Sequence, residues 1–234
     1  MVSYLTLLIR IVNYNIKVIF ANKFIYFALA ALLFFGFIIT ITIFEDPNFN
    51  EAVIYGFLVF PGLLLIFYPM AFGIQNDDDS NMLETIFGIP NYRYKVWLIR
   101  FVITILVAFV ILYLLGVIAD FTMYRFNILP MIGQVLFPVT FLASIAFMVS
   151  TLIKNGNGTA IVIIIIALIF FIFAEELEYN AWNVFLNPFS EPRDMSEFVW
   201  LSIISKNRIY LTVGTSLCIL YGLFNLQFRE KFMQ

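Results

Sequence analysis

Histidine is absent from this 234-residue chain, and cysteine occurs once. Without histidine the usual haem ligand is missing, as is the commonest ligand for catalytic zinc or copper. The usual general base is missing too. Cys218 lies alone in an apolar stretch, so no disulfide closes within one chain and the redox compartment is unreadable. Charge is also scarce. Only 12% of residues are Asp, Glu, Lys or Arg, where a soluble domain carries roughly 25%.

What the chain has in abundance is apolar surface: 63% of residues are hydrophobic, and the mean hydropathy is +0.99. In water such a chain would expose large apolar patches, so lipid is the solvent that fits it. No basic region followed by an apolar core marks a cleavable signal peptide at the N-terminus. No soluble stretch is long enough to fold by itself. We therefore expect one transmembrane domain over residues 1–234.

A spanning helix needs ~20 mostly apolar residues. Six stretches meet or nearly meet this, at about 24–44, 53–74, 96–119, 130–153, 156–174 and 209–228. With the N-terminus cytoplasmic, the inner side holds nine Lys and Arg and the outer side four, namely Arg125, Arg193, Lys206 and Arg208. The acids divide five inside and ten outside, giving 9 − 5 = +4 inside and 4 − 10 = −6 outside. Lys and Arg favour the cytoplasmic side, so both termini are expected there. Lys206 and Arg208, just before the last span, fit this topology least. Asn157-Gly158-Thr159 matches a glycosylation acceptor, but the topology places it inside, so it is read as chance.

Residues 2–23 carry Leu5, Leu8, Ile9, Val12, Ile16, Ile19 and Phe20 at helical spacing, with Thr6, Arg10, Asn13 and Lys17 opposite. This pattern predicts an amphipathic helix suited to an anionic inner leaflet. It is either a lead-in to the first span or a surface that also meets a cytoplasmic partner.

The first inner loop, 75–100, reads QNDDDSNMLETIFGIPNYRYKVWLIR. Asn81 with Glu84 three residues on has the spacing of a capping box. Asp77, Asp78 and Asp79 are expected to precede the helix, where its dipole favours negative charge. Met82, Leu83, Ile86 and Phe87 form an apolar stripe, and Gly88 and Pro90 stop the helix. Arg93, Lys95 and Arg100 follow at the mouth of the third span. So short a helix cannot stand alone. It docks either on the neighbouring spans and membrane surface or on a cytoplasmic protein.

At this loop the chain resembles the membrane (permease) subunit of ABC exporters of the type-2 class. The resemblance rests on the acidic stretch Asp77–Asp79, on Met82-Leu83-Glu84, and on Gly88, Pro90 and Arg93. It extends to the layout: a cytoplasmic amphipathic helix, six spans, both termini inside, and a long outer segment before the last span. The family's acidic stretch is usually Glu-rich, and here it is three Asp. The resemblance implies that residues 79–88 form a coupling helix seated in a separate ABC ATPase, through Met82, Leu83, Glu84, Ile86, Phe87, Gly88, Pro90 and Arg93. It further implies a dimer with a second permease copy or a paralogue, in the inner (cytoplasmic) membrane. The chain has no G-x-x-x-x-G-K-[ST]; Gly156-Asn157-Gly158-Thr159 lacks the lysine. ATP and Mg would therefore bind the partner ATPase, with no cofactor, metal or catalytic residue in this chain and no nucleic-acid partner.

The outer segment 175–208 holds Trp182, Phe185, Leu186, Phe189, Phe198 and Trp200, which is too apolar for a free loop. Asn187-Pro188 and Glu191-Pro192 interrupt it. We expect two short re-entrant or interfacial helices, with Trp as anchors. Glu175, Glu176 and Glu178 are either a cation site or, the reading favoured here, a solvated helix end; Asp120 and Arg125 are weighed the same way.

The spans hold almost no charge, which argues against a proton- or sodium-coupled carrier. Span two carries Pro61 and Pro69, and span four carries Pro130, Pro138 and Gln134, so these two are placed near a moving path. The 29 Phe fit an apolar or amphipathic cargo, or ordinary lipid-facing packing. Two other functions are weighed. One is a structural or assembly subunit that does not transport. The other is an intramembrane enzyme, since Glu175-Glu176 resembles the glutamate pair of CAAX-type proteases and the Asp run resembles prenyl transferases. The protease needs histidines, and the transferase needs a second Asp-rich motif.

Overall fold

The computed structural model describes residues 23–45 and 49–228, and among these no strand forms. The amphipathic segment expected over 2–23 lies outside the described residues but for Lys23. The helices are α1 (Phe24–Glu45), α2 (Glu51–Asp79), α3 (Leu83–Gly88), α4 (Ile99–Thr122), α5 (Ile128–Ile153), α6 (Gly156–Glu176) and α7 (Glu197–Asn225). One turn of π-helix, Arg93–Leu98, leads into α4 without a break.

Five helical stretches are long and apolar enough to cross a membrane: α1, α2, Arg93–Thr122, α5 and α6. They coincide with the first five expected stretches to within a few residues at most ends. α7 is 29 residues long, but Lys206, Asn207, Arg208, Thr212, Thr215 and Ser216 dilute its apolar run. Side chains such as Phe44, Phe121, Leu33 and Phe171 stand more than 70% exposed. That much contiguous apolar surface belongs in lipid. This is a helical membrane protein.

α5 is the hub, packed on α2, α4, α6 and α7; α2 in turn contacts α1, α4 and α6. Burial follows this arrangement. The most apolar windows of α5 and α2 are 61% and 50% buried, while those of α1 and α6 are only 22% and 11% buried. Lipid tails are as apolar as leucine, so helices in a bilayer are held by close packing, and small residues allow it. α5 buries Ala143, Ser144, Ala146, Ser150 and Thr151. Close approach also explains Gly62 of α2, where a Cβ would lie 2.7 Å from Val139 Cγ2 of α5. Pro61 and Pro69 in α2 and Pro138 in α5 sit within unbroken helices.

α6 begins beside the far end of α2. Gly156 N donates to Gln75 Oε1 at 2.6 Å, and Asn155 caps α6 by accepting from Gly158 N at 2.9 Å. A Cβ on Gly156 would lie 2.2 Å from Phe72 Cδ1 and 2.8 Å from Gln75 Oε1. Gly156→Ala should therefore displace both side chains and cost about 1–3 kcal/mol. Thermal unfolding in detergent measures this, and an unchanged midpoint would refute the close contact.

Candidate functional site at the α3 end of the bundle

α2 does not stop before the acidic run. Asp77–Asp79 form its last turn. Ser80 closes the helix, its Oγ donating to Asn76 O at 2.7 Å and Asp77 O at 3.2 Å. Asn81 then reverses the chain in the left-handed region, at φ 55°, which Asn tolerates better than most residues. Met82 N returns to Asp77 O at 2.8 Å.

Two expectations are corrected by this turn. The capping box does not form: Met82 is the N-cap of α3, and no side chain caps it. The aspartates stand at a helix C-terminus rather than an N-terminus. There the dipole disfavours negative charge, and Asp77 is compensated by Arg100. Their side chains meet at 2.7 Å, and both are almost fully buried. Arg100 also lies over the Trp97 ring, 4.9 Å from its centroid. Arg100 Nε and Trp97 Nε1 are buried without an acceptor among the described residues, and both residues line a cavity of about 10 Å³ between α2, α4 and α5. The helices thus hold a buried ion pair whose two partners the sequence placed at this loop but did not pair.

α3 turns its apolar stripe inward. Leu83, Ile86 and Phe87 are buried, and Met82 is half-buried. The stripe docks on this chain, so the choice between neighbouring spans and a partner protein falls on the spans. Phe87 meets Tyr92 edge-on at 5.0 Å, and the Tyr92 hydroxyl donates to Leu226 O just beyond α7. Arg93 Nη1 donates to Gln227 Oε1 at 3.2 Å. Asn225 Nδ2 donates to Thr151 O at 2.6 Å, joining α7 to α5. With the Gln75–Gly156 bond, the loop is wired to the ends of α2, α4, α6 and α7.

Of the eight expected site residues, Leu83, Ile86 and Phe87 are internal, Met82 and Arg93 are intermediate, and Glu84, Gly88 and Pro90 are exposed. Asp78, Asp79, Thr85, Ile89, Tyr94 and Lys95 share that exposure. The outward face is therefore acidic at Asp78, Asp79 and Glu84, with Ile89-Pro90 and basic Lys95 beyond. Its chemistry suits recognition of another protein by charge. Among the described residues, no group of three or more acids or cysteines could hold a metal.

At the opposite end, residues 177–196 form consecutive turns, and the two short helices expected there do not appear. Asparagine side chains are the reason. Asn180, Asn183 and Asn187 each accept with Oδ1 from the backbone N two residues on, Trp182, Phe185 and Phe189, at 2.9–3.1 Å. Such Asx turns compete with helix formation, and Pro188 and Pro192 reinforce them. The next helix, α7, starts only at Glu197.

The turns are clamped from below. Arg208 is buried on α7 and forms no ion pair among the described residues. Its Nε donates to Gln134 Oε1 at 2.8 Å, Nη1 to Asn207 Oδ1 at 2.7 Å and Nη2 to Leu186 O at 3.3 Å. Asn207 Nδ2 donates to Ala181 O and Asn183 O, and Asn187 Nδ2 to Ala52 O. This cluster was not legible beforehand, because its acceptors are scattered over three elements. Glu175, Glu176 and Glu178 are exposed. Glu178 holds the Tyr179 hydroxyl above its ordinary pKa by hydrogen bonding, with desolvation and the charges of Glu178 and Asp194 adding. Asp120 has a structural use, accepting from Phe126 N at 3.0 Å across the turn before α5, and Arg125 is exposed.

No family profile, no curated protein and no solved structure matches this chain.

Proposed function

We propose that the chain is the permease subunit of an ATP-driven exporter of the ABC type-2 class. In this reading a separate ATPase docks on the outward face of α3, and two permease subunits form the path. α7 supplies a sixth span, both termini are cytoplasmic, and the protein lies in the inner membrane. ATP binding closes the ATPases, which push the 79–88 segment and shift the spans between inward- and outward-open states.

The observation that carries this reading is the wiring of α3. α3 follows directly on α2, whose last turns are bonded to α4 by Asp77–Arg100 and to α6 by Gln75–Gly156, and is followed by Tyr92 and Arg93, which bond the residues just beyond α7. A force applied to α3 is therefore shared by helices α2, α4, α6 and α7 rather than absorbed in a loose loop. The charge distribution agrees. Arg208, a misfit on the outer side, is engaged inside the bundle, which leaves Lys206 as the exposed exception.

The test is co-purification with the P-loop ATPase expected from adjacent reading frames. Asp78→Lys, Asp79→Lys and Glu84→Lys together change only exposed side chains. They should leave the unfolding midpoint within the range of surface changes, about 0.5 kcal/mol each, yet release the ATPase and abolish ATP-dependent transport. A gently solubilised complex without any P-loop subunit would sink the proposal.

A further inference from the structure

We propose that α1, α2, α6 and the turns after α6 form one binding site for an amphiphile with an apolar tail and a cationic head. An apolar cavity of about 530 Å³ opens between these three helices, walled by Phe60, Phe67, Ile164 and Leu168 among others. A second cavity, of about 500 Å³, lies at the end of α6, walled by Glu175, Glu178, Asn183, Ser190 and Trp200. Phe171 and Phe185 belong to both walls, so the cavities adjoin. Each has the volume typical of a small-molecule site. From Ile164 to Glu175 the site runs ~16 Å along α6, at 1.5 Å per residue.

The two halves differ in chemistry, which selects the ligand. The inner half is walled by Phe, Leu, Ile and Ala alone. It would accept a hydrocarbon tail. The outer half carries two carboxylates and no Lys or Arg. Neither carboxylate is ion-paired among the described residues, where the salt bridge is Asp77–Arg100. Of the neutral polar wall groups, Asn183 donates to Ala174 O and accepts from Phe185 N, and Asn187 donates to Ala52 O and accepts from Phe189 N. The two carboxylates are the charged groups of this wall, Glu178 also meeting the Tyr179 hydroxyl, and a quaternary or primary ammonium complements them. Tyr179 and Trp200, set edge to face at 6.2 Å, add ring surfaces that attract cations. An anionic head would be repelled. This site needs no nucleotide and no ATPase, so it stands apart from the exporter reading.

The test uses the purified full chain in phosphatidylcholine nanodiscs, titrated with radiolabelled dodecyltrimethylammonium. Empty nanodiscs and dodecyl sulfate serve as controls. Saturable binding of one cation per chain is expected, above partition into empty discs. Glu175→Gln with Glu178→Gln should weaken it about tenfold, the scale of losing two charge contacts. Ala167→Trp, which fills the apolar half, should abolish it with the unfolding midpoint unchanged. Uptake equal to that of empty discs would overturn the proposal. So would equal affinity for dodecyl sulfate, a double variant within twofold of the parent, or a phosphatidylcholine in the groove that the cation fails to displace.

Discussion

Asp77→Ala should unfold in detergent with a loss of about 3–5 kcal/mol, the cost of leaving a buried charge without its partner. Both members of the Asp77–Arg100 pair are almost fully buried, so solvent does little to soften the loss. Arg100 is already short of acceptors, since its Nε has none. Removing an acid from the C-terminus of α2 gives back only about 0.3–1 kcal/mol from the helix dipole, too little to reverse the sign. The double variant Asp77→Leu with Arg100→Met should recover most of the stability, because apolar replacements of similar volume carry no desolvation penalty. Denaturant unfolding of the parent, Asp77→Leu, Arg100→Met and the double variant completes the cycle. A single variant within 1 kcal/mol of the parent would show that the pair is solvated and that the α3 end is looser than its hydrogen bonds indicate.

The second large effect is expected at Arg208. Arg208→Met keeps the stem and removes three hydrogen bonds, leaving Gln134 Oε1 and Asn207 Oδ1 to find other donors, while Leu186 O keeps the Tyr55 hydroxyl. A buried acceptor left unpaired costs about 1–3 kcal/mol, offset in part by relief of burying the cation. A net loss of about 2–4 kcal/mol follows. The loss should be local: backbone amides of 177–196 should exchange faster, and added protease should cut there first. Arg208→Lys should rescue poorly, since one ammonium cannot reproduce the planar fork that reaches three acceptors. Full protection of the segment in Arg208→Met would mean that the asparagine turns hold themselves.

The two predictions mark where sequence reasoning reached its limit. The positions of five long helices were legible, because apolar runs of about 20 residues have few other uses; the last, expected over 209–228, begins at Glu197. The apolar stripe Leu83, Ile86 and Phe87 was legible for the same reason, as periodicity shows which side of a helix is buried. What it packs against was not, since a stripe looks the same whether it faces its own chain or another. Asn81 misled because one residue type serves two roles, helix capping and left-handed turns, at nearly the same spacing from the helix. The outer segment misled because aromatic content signals burial but not shape. Asn180, Asn183 and Asn187 chose turns through bonds spanning only two residues, and the neighbouring aromatics were buried anyway.

Composition alone therefore determined that this chain lives in lipid as a set of helices, because no other solvent or backbone arrangement satisfies so much apolar surface and its peptide groups together. Only the tertiary structure decided which helices lie inside. α2 and α5 are no more apolar than α1 and α6, but Gly62 of α2 and the small residues of α5 let them pack closely. The tertiary structure also decided that Asp77 finds Arg100, that Arg208 clamps the 177–196 turns, and that two cavities share Phe171 and Phe185. Each of these joins residues distant in sequence, and such pairings are set by helix packing rather than by any local pattern.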